Sequence, residues 1–300
     1  MNILASILEQ GLIFSVVAVG IYITFKILDF PDMSVDGTFP LGGAVAALCL
    51  TKGMNPFYAS VLALAAGCIA GFITGILHVK LKISNLMSGI IVMIGLYSIN
   101  LRIMTKSNVP LFNETTIFTG AMKPIIVIAV FAAAVKLALD LFLKTKLGFV
   151  LTAVGDNEQL VTSLGINKGR IKILGLMVSN GFAALAGAMM AQYQGYADVG
   201  MGTGVVVMSL GAVIIGESIF GKLSFMKATT TAMFGALIYR SAIAGALEVG
   251  LAPTDLKLVT AVIVVIALSL NNKDLNWFAR KKLRAGGEAI AESTEFAQGI

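Results

Sequence analysis

Two carboxylates and two hydroxyl groups lie close together in one short stretch of an otherwise apolar sequence. The stretch reads FPDMSVDGTFPLGG, residues 30–43, and its polar side chains are those of Asp32, Ser34, Asp36 and Thr38. Polar and ionisable groups are costly inside a lipid bilayer, so those found in apolar sequence are candidates for function. Carboxylate oxygens bind a cationic group reversibly, so the chemistry that these residues could perform is the recognition of a cationic ligand. The competing interpretation is that Asp36 and Gly37 cap a broken helix.

Three further polar side chains fall within apolar runs. Arg240 offers a cation for an anionic group of a bound molecule. Its alternative role is an intramembrane ion pair with Glu248 or with either carboxylate of residues 30–43. Asn180 joins Arg240 as a candidate for the solute pathway. For Asn180, as for Asn100, the alternative is a hydrogen bond between helices.

The residue types that enzymes use do not form a catalytic constellation. The sequence has a single histidine, His78, and no cluster of Cys, His and carboxylates with metal-ligand spacing. Cys49 and Cys68 fall within apolar runs, which is typical of small core residues. No nucleophile is paired with a base, and no GxxxxGK[ST] phosphate loop occurs. The sequence therefore predicts a protein that is not an enzyme, with no metal, no cofactor and no ATPase site of its own.

The elements that position the polar residues must be membrane helices. Hydrophobic residues make up 57% of the 300 residues and charged residues only 13%, too few to cover the surface of a soluble domain. The net charge of +6 would suit nucleic acid, but Lys and Arg cluster between apolar runs, as the positive-inside rule requires. The composition indicates a multi-pass protein of the lipid bilayer and excludes a nucleic-acid partner.

The apolar runs predict an all-α bundle of about 8–10 spans, with broken or re-entrant helices where proline and glycine interrupt them. Residues 1–270 are expected to form the transmembrane domain and 271–300 a cytoplasmic tail. The basic loops place the N-terminus outside the cell. The run that ends before Lys222 contains candidates for a cytoplasmic gate or for close helix packing, namely Gly211, Gly216, Glu217 and Gly221.

One polar interval, residues 145–172, separates two apolar runs. Asp156 is a good N-cap and Gln159 follows at capping-box spacing, so a short helix is predicted to begin at about Asn157. Gly165 is expected to end this helix in a left-handed conformation. The helix is too short to span a membrane, and it either docks into a partner or lies on its own protein. The residues that it offers to a partner are Gly155, Asp156, Asn157, Glu158, Leu160, Val161, Leu164 and Gly165.

Three segments resemble one family of membrane transporters. AVGDNEQLVTSLGINKGRIKILGLMVSNGFAALAGAMMAQ, residues 153–192, is similar to the cytoplasmic loop and following helix of ABC-importer permeases of the branched-chain amino acid and ribose type. DMSVDGTFPLGGAVAAL (32–48) and MGTGVVVMSLGAVIIGESIFG (201–221) resemble the early and the later glycine-rich segments of that family. The sequence most resembles a subgroup of permeases whose suspected substrates include tryptophan and tyrosine.

This resemblance implies a permease subunit that imports a small polar solute, an aromatic or branched-chain amino acid, across a bacterial plasma membrane. It implies a homodimer or a pseudo-symmetric pair of membrane subunits, separate ATPase subunits that bind ATP and magnesium, and an extracytoplasmic solute-binding protein. The helix from Asn157 would then be the coupling helix, with Leu160, Val161 and Leu164 seated in a groove of the ATPase. Asp36 follows valine where sugar permeases of the family have glycine, which argues against a sugar.

Three alternatives stay open. One is a sugar or nucleoside permease of the same family. A secondary ion-coupled transporter would share the broken helices and the carboxylates, but it would have no reason to expose a capped helix on the cytoplasmic side. A membrane scaffold or sensor would need neither the broken segments nor Arg240.

Overall fold

The computed structural model of the chain describes residues 3–120, 122–221, 226–248 and 255–271. The tail from residue 272 onwards and Lys222 lie outside these ranges. Two three-residue strands, β1 (Asn108–Pro110) and β2 (Tyr196–Asp198), pair antiparallel. The α-helices of the described ranges are α1 (Ile3–Ile21), α2 (Val35–Thr51), α3 (Pro56–Val79), α4 (Asn85–Met104), α5 (Pro124–Leu143), α6 (Lys146–Asp156), α7 (Glu158–Ser163), α8 (Lys168–Gln194), α9 (Val205–Phe220), α10 (Ala228–Glu248) and α11 (Leu256–Asn271).

Six helical segments in the described part of the chain are long and apolar enough to cross a membrane. They are Ala5–Ile27, Pro56–Val79, Asn85–Met104, Pro124–Leu143, Lys168–Gln194 and Val199–Phe220. α2 is a shorter apolar helix of 17 residues, and α10 and α11 pack beside α9. The prediction of an all-α, polytopic membrane bundle is confirmed.

α8 is the helix around which α1, α2 and α3 pack. Its contact with α2 depends on glycine on both sides. A Cβ at Gly187 of α8 would lie 1.8 Å from the carbonyl oxygen of Phe39. A Cβ at Gly42 of α2 would lie 1.8 Å from the carbonyl oxygen of Ala184. The two backbones can approach this closely only because small residues line the contact.

The chain leaves α-helical geometry between α1 and α2. α1 continues into a π-helical turn, Tyr22–Ile27, and residues 28–34 are mostly buried without forming a helix. The α-helix resumes at Val35 and runs through Pro40. The discontinuous element predicted for residues 30–43 is therefore shorter than expected. Pro40 removes only the N–H that would bond to the Asp36 carbonyl one turn earlier, so the helix loses one hydrogen bond without unwinding.

A second interruption precedes α9 and packs against the first turn of α2. Val199–Gly202 form a 3-10 helix, and Gly204 has a left-handed φ of +84° directly before α9. A Cβ at Gly202 would lie 2.0 Å from the carbonyl oxygen of Asp36, the same oxygen that Pro40 leaves without a helical donor. The start of α9 is thus held against the start of α2.

Candidate functional site

The polar side chains near the start of α2 divide into two groups, and the first is a closed cluster with Asn180 of α8. The hydroxyl and the backbone N–H of Ser34 both donate to Oδ1 of Asp32, at 2.6 and 2.9 Å. Asn180 Nδ2 donates to Asp32 Oδ2 (2.7 Å), and Thr38 Oγ1 donates to Asn180 Oδ1 (2.7 Å). None of the four residues is more than 3% exposed. The cluster ties the interrupted backbone before α2 to α8.

This closed cluster lies deep in the helix bundle. Asn180 lies about 18 Å along the helix axis from Lys168, the first residue of α8. A carboxylate at such a depth is costly unless hydrogen bonds satisfy it, and both oxygens of Asp32 have donors. The structure thus brings four of the predicted pathway residues together, but it encloses them. Asn180 of α8 bonds to Asp32 and Thr38, which is the alternative role given above, a hydrogen bond between helical segments.

Asp36 belongs to the second group and faces the start of α9. Its Oδ2 accepts the N–H of Gly204 (3.0 Å), and its Oδ1 accepts the N–H of Val206 (2.8 Å). The first N–H groups of a helix lack helical acceptors, and they form the positive end of the helix dipole. Asp36 therefore caps a helix, as the competing interpretation held, but the capped helix is α9 rather than its own.

A cavity of about 530 Å³ opens beside Asp36, between α2, α4 and the 3-10 helix. Asn100 of α4 lines it and is fully buried. Its Nδ2 donates to the Gly37 carbonyl oxygen (3.1 Å), whereas its Oδ1 has no hydrogen-bond partner. The other lining side chains include an apolar wall formed by Met33, Met93, Ile94 and Tyr97. The closed cluster and the cavity therefore both lie beside the start of α2, but only the cavity leaves space for a bound molecule.

Arg240 lies away from both groups. Its guanidinium carbon is 4.2 Å from the centroid of the Phe14 ring, a cation–π contact. Among the described residues Arg240 forms no salt bridge, and its Nε is buried without a hydrogen-bond partner. The predicted ion pair with Asp32, Asp36 or Glu248 is therefore wrong. Arg240 contacts the ring of Phe14 instead.

The polar interval 145–172 folds into two short helices and the start of α8. α6 and α7 meet at Asn157, whose Oδ1 accepts the N–H groups of Gln159 and Leu160, both at 3.0 Å. The predicted N-cap, Asp156, is wrong by one position, because Asp156 is the last residue of α6. Gly165 has a left-handed φ of +76° after the helix, so the predicted end of the helix is confirmed.

The exposed surface of α7 is narrower than the predicted apolar stripe. Leu160 and Leu164 are 55% and 68% exposed, whereas Val161 is 1% exposed. Val161 belongs to a core cluster that also contains Ile27 and Leu151. The prediction that all three stripe residues face a partner is therefore wrong for Val161. Adjacent residues of a helix point about 100° apart, so Val161 turns inward while Leu160 stays outside.

α6 rests on the end of the first membrane helix. A Cβ at Gly155 would lie 1.5 Å from the carbonyl oxygen of Ile27, so a side chain at this position would push the two elements apart. Ile27 ends the π-helical turn that leads to Asp32. α6 therefore contacts the turn that precedes the backbone of the closed cluster.

Glu158 fixes α7 to the first turns of α8. Its carboxylate forms salt bridges with Lys168 (2.8 Å) and with Lys172. The hydrogen bond from Lys168, followed by that from Lys172, lowers the pKa of Glu158 to about 2. Both lysines belong to the first two turns of α8, so the ion pairs link α7 to the start of α8.

Two of the predicted gate residues serve close helix packing. A Cβ at Gly216 would lie 2.1 Å from the carbonyl oxygen of Thr231 in α10. A Cβ at Gly211 would lie 2.8 Å from Cγ2 of Val264 in α11. Both glycines therefore hold α9 against its two neighbours.

The remaining gate candidates lie at the end of α9. Glu217 forms a salt bridge with Lys26 of the π-helical turn (2.6 Å). Gly221 follows in helical geometry, with φ of −62°, and Lys222 lies outside the described residues. The end of α9 is thus tied to the same turn against which α6 rests.

One polar cluster was missed from the sequence. Asp140 of α5 is 7% exposed and accepts hydrogen bonds from Lys136 (2.8 Å), Lys227 (2.8 Å) and Thr229 (2.6 Å). It joins α5 to the start of α10. The sequence does contain a signal for the Lys136–Asp140 ion pair, because these residues stand at i, i+4 spacing within an apolar run.

Comparison with known proteins places most of the chain in one family. Residues 3–269 match the family described as "Branched-chain amino acid transport system / permease component". A tyrosine transport system permease protein of Clostridioides difficile (strain R20291) is 50% identical over 92% of this chain and 94% of its own length. The ribose import permease protein of Escherichia coli K12 is 27% identical over 91% of this chain and 86% of its own length.

An uncharacterized protein of Rickettsia prowazekii (strain Madrid E) is 37% identical over 90% of this chain and 98% of its own length. No solved structure matches the chain. The family match and the first relative both extend over most of the sequence, and both agree with the all-α membrane bundle. The chain belongs to the family of permease components of branched-chain amino acid transport systems.

Proposed function

We propose that this protein is the membrane-spanning permease subunit of an ATP-driven importer for an amino acid, with an aromatic amino acid as the favoured substrate. The observation that carries the proposal is the 50% identity to a tyrosine transport system permease over 92% of the chain. The ribose permease is more distant, at 27% identity. Asp36 also supports an amine-bearing substrate over a sugar, because a carboxylate complements a cation.

A separate ATPase subunit binds ATP and magnesium in this proposal. α7 supplies the docking surface, because its exposed Leu160 and Leu164 suit a groove that accepts a short amphipathic helix. The flanking positions proposed to take part in the docking are Gly155, Asp156, Asn157, Glu158 and Gly165. Val161 anchors α7 to its own protein. The face that carries α6 and α7 is then cytoplasmic, the C-terminus lies on the same side and the N-terminus lies outside, in a bacterial plasma membrane.

The proposal also includes a second copy of the chain and an extracytoplasmic solute-binding protein. α8, with 27 residues, begins beside α7 and ends at β2, so the two faces lie at opposite ends of one membrane helix. The face with β1 and β2 is then the one that receives the solute. Movement of the ATPase subunits would reach the first membrane helix through α6, at Gly155 and Ile27.

Replacing both exposed leucines of α7 tests the proposal. In proteoliposomes that contain the permease, its ATPase and its binding protein, we expect the wild type to take up L-tyrosine only when ATP is supplied. Leu160→Asp plus Leu164→Asp should abolish uptake and the retention of the ATPase during purification. Both side chains are exposed, so the permease itself should stay folded.

The matched control places two carboxylates elsewhere on the same helix. Gln159 and Thr162 are also exposed, but on a helix they point in other directions than Leu160 and Leu164. Gln159→Asp plus Thr162→Asp should therefore leave uptake and ATPase retention nearly unchanged. Uptake driven by an ion gradient in the absence of the ATPase would overturn the proposal in favour of a secondary transporter. Uptake of ribose in preference to L-tyrosine would overturn the amino acid assignment.

A further inference from the structure

We infer that the cavity between α2, α4 and the 3-10 helix is a binding site for the transported solute, and that it recognises an ammonium group next to an apolar or aromatic side chain. The inference rests on the proposed function, since it names a binding site for the transported solute within the permease itself. The observations that carry it are an unpaired buried acceptor, an aspartate in the lining and an apolar wall.

The unpaired acceptor is Oδ1 of Asn100. This residue is fully buried, and its amide nitrogen is fixed by the Gly37 carbonyl oxygen at 3.1 Å. The carbonyl oxygen of the side chain has no hydrogen-bond partner, although the residue lines the cavity. Buried polar atoms without partners are rare and need an explanation. Because Asn100 has no accessible surface, an N–H group of a solute in the cavity supplies the missing donor once a wall side chain moves aside.

The second polar residue is Asp36, which lines the same cavity. Each of its carboxylate oxygens accepts one backbone N–H from the start of α9. A carboxylate has about four lone-pair positions, so it can accept further donors. Among the described residues, the lining contains no Lys or Arg. Acceptors without a cation of the protein favour a positively charged donor, and an ammonium group with its three N–H bonds fits this chemistry.

The apolar wall sets the second half of the recognition. Met33, Met93, Ile94 and Tyr97 line the cavity, and thioether and ring surfaces contact aromatic side chains favourably. The volume of about 530 Å³ lies in the range of about 300–1,000 Å³ that is usual for small-molecule sites. A sugar would bring several hydroxyl groups to this wall, where they would lose their hydrogen bonds to water. The wall therefore favours an amine with an apolar body.

Binding to the full-length chain in lipid nanodiscs, without the partner subunits, tests the site directly. Radiolabelled L-tyrosine is the probe, and two analogues compete with it. We expect tyramine, which keeps the ammonium group and lacks the carboxylate, to displace L-tyrosine. We expect 3-(4-hydroxyphenyl)propionate, which keeps the carboxylate and lacks the ammonium group, to displace it at least about tenfold less well. Equal displacement by both, or no binding of L-tyrosine at all, would overturn the inference.

Two variants connect this binding to the named side chains. Asn100→Leu removes the unpaired acceptor and should weaken L-tyrosine binding about tenfold. Tyr97→Ala shortens the wall at a side chain that is 55% exposed, so it should fold normally and also bind more weakly. Ser179→Ala is the control, because Ser179 Oγ is also buried and unpartnered but does not line the cavity. It should bind L-tyrosine like the wild type.

The outcomes separate the site from the proposed function. If the complete transporter takes up L-tyrosine with ATP while Asn100→Leu and Tyr97→Ala bind and transport it like the wild type, the site is wrong and the proposed function stands. If the chain binds L-tyrosine with the expected analogue selectivity but the complete transporter shows no ATP-dependent uptake, the proposed function is wrong and the site stands.

Discussion

Asp32 and Asp36 stand four positions apart in the chain, yet their surroundings differ. Asp32 is 3% exposed, and its oxygens accept hydrogen bonds from Ser34 and Asn180. Asp36 binds the start of α9 and also faces a cavity in which another acceptor is unpaired. A polar group deep in a membrane protein is therefore not a solute contact merely because it is costly to bury. The deciding feature is an acceptor that remains without a donor beside an open space.

Asn180 and Asn100 allow the same comparison, between an enclosed residue and one that lines the cavity, for a single residue type. Asn180 and Asn100 are both fully buried. Asn180 uses its amide nitrogen and its carbonyl oxygen inside the protein, whereas Asn100 uses only the nitrogen. The same substitution at both positions should therefore separate a structural role from a binding role.

The largest expected effect is a loss of stability in Asn180→Leu. The substitution leaves Asp32 Oδ2 without a donor and Thr38 without its side-chain acceptor, in a buried region. We expect the free energy of unfolding to fall by about 3 kcal/mol, because unpaired buried polar groups cost about 1–3 kcal/mol each and more when they are charged. Thermal unfolding of the purified protein in detergent measures the change.

Asn100→Leu is the counterpart in this test. It removes one hydrogen bond, to Gly37, together with an acceptor that had no partner, so the free energy of unfolding should fall by about 1 kcal/mol or less. Equal losses of stability in Asn180→Leu and Asn100→Leu would break the distinction between the closed cluster and the cavity.

An effect smaller than that of Asn180→Leu is expected from Asp36→Ala, which tests whether Asp36 positions α9. The substitution leaves the N–H groups of Gly204 and Val206 without their acceptor, and loss of a helix cap costs about 0.5–2 kcal/mol. Amide hydrogen exchange at the start of α9 should become faster, while exchange in α8 stays as in the wild type. Asp36→Asn keeps one acceptor oxygen and should give an intermediate rate. Unchanged exchange at Val206 would show that Asp36 is not needed for the cap.

The sequence predicts the helices and the interruptions well, because apolar periodicity, proline and glycine are local signals. The partners of the polar residues are not local. Asn180 follows Asp32 by 148 residues, and Val206 follows Asp36 by 170 residues. No pattern within residues 30–43 distinguishes the carboxylate that becomes enclosed from the one that faces a cavity. The distinction arises only when α8 and α9 pack against α2.

Errors at the α7 helix and at Arg240 have equally specific causes. Asp156 and Asn157 are adjacent residues that both cap helices well, and the extension of α6 to Asp156 decides between them. Val161 and Leu160 are both apolar, and only the core beneath α7 determines which one turns inward. Arg240 is paired with the ring of Phe14, and a search for carboxylates does not find an aromatic partner.

The smallest expected effect concerns Glu158, an exposed carboxylate that marks the opposite limit to Asp32. Its pKa of about 2 lies below the ordinary value of 4.5, because Lys168 and Lys172 stabilise the ionised form. Its contribution to stability is therefore complete above pH 4.5 and is lost as the pH falls through 2. Since the Glu158 side chain is 40% exposed, water and salt screen the pairs, and Glu158→Gln should cost only about 0.2–1 kcal/mol at pH 7. The free energy of unfolding of wild type and variant can be measured at pH 7 and pH 3, in low and high salt. The difference between the two proteins should shrink at low pH and at high salt. A difference that stays constant would mean that the ion pairs do not hold α7 against α8.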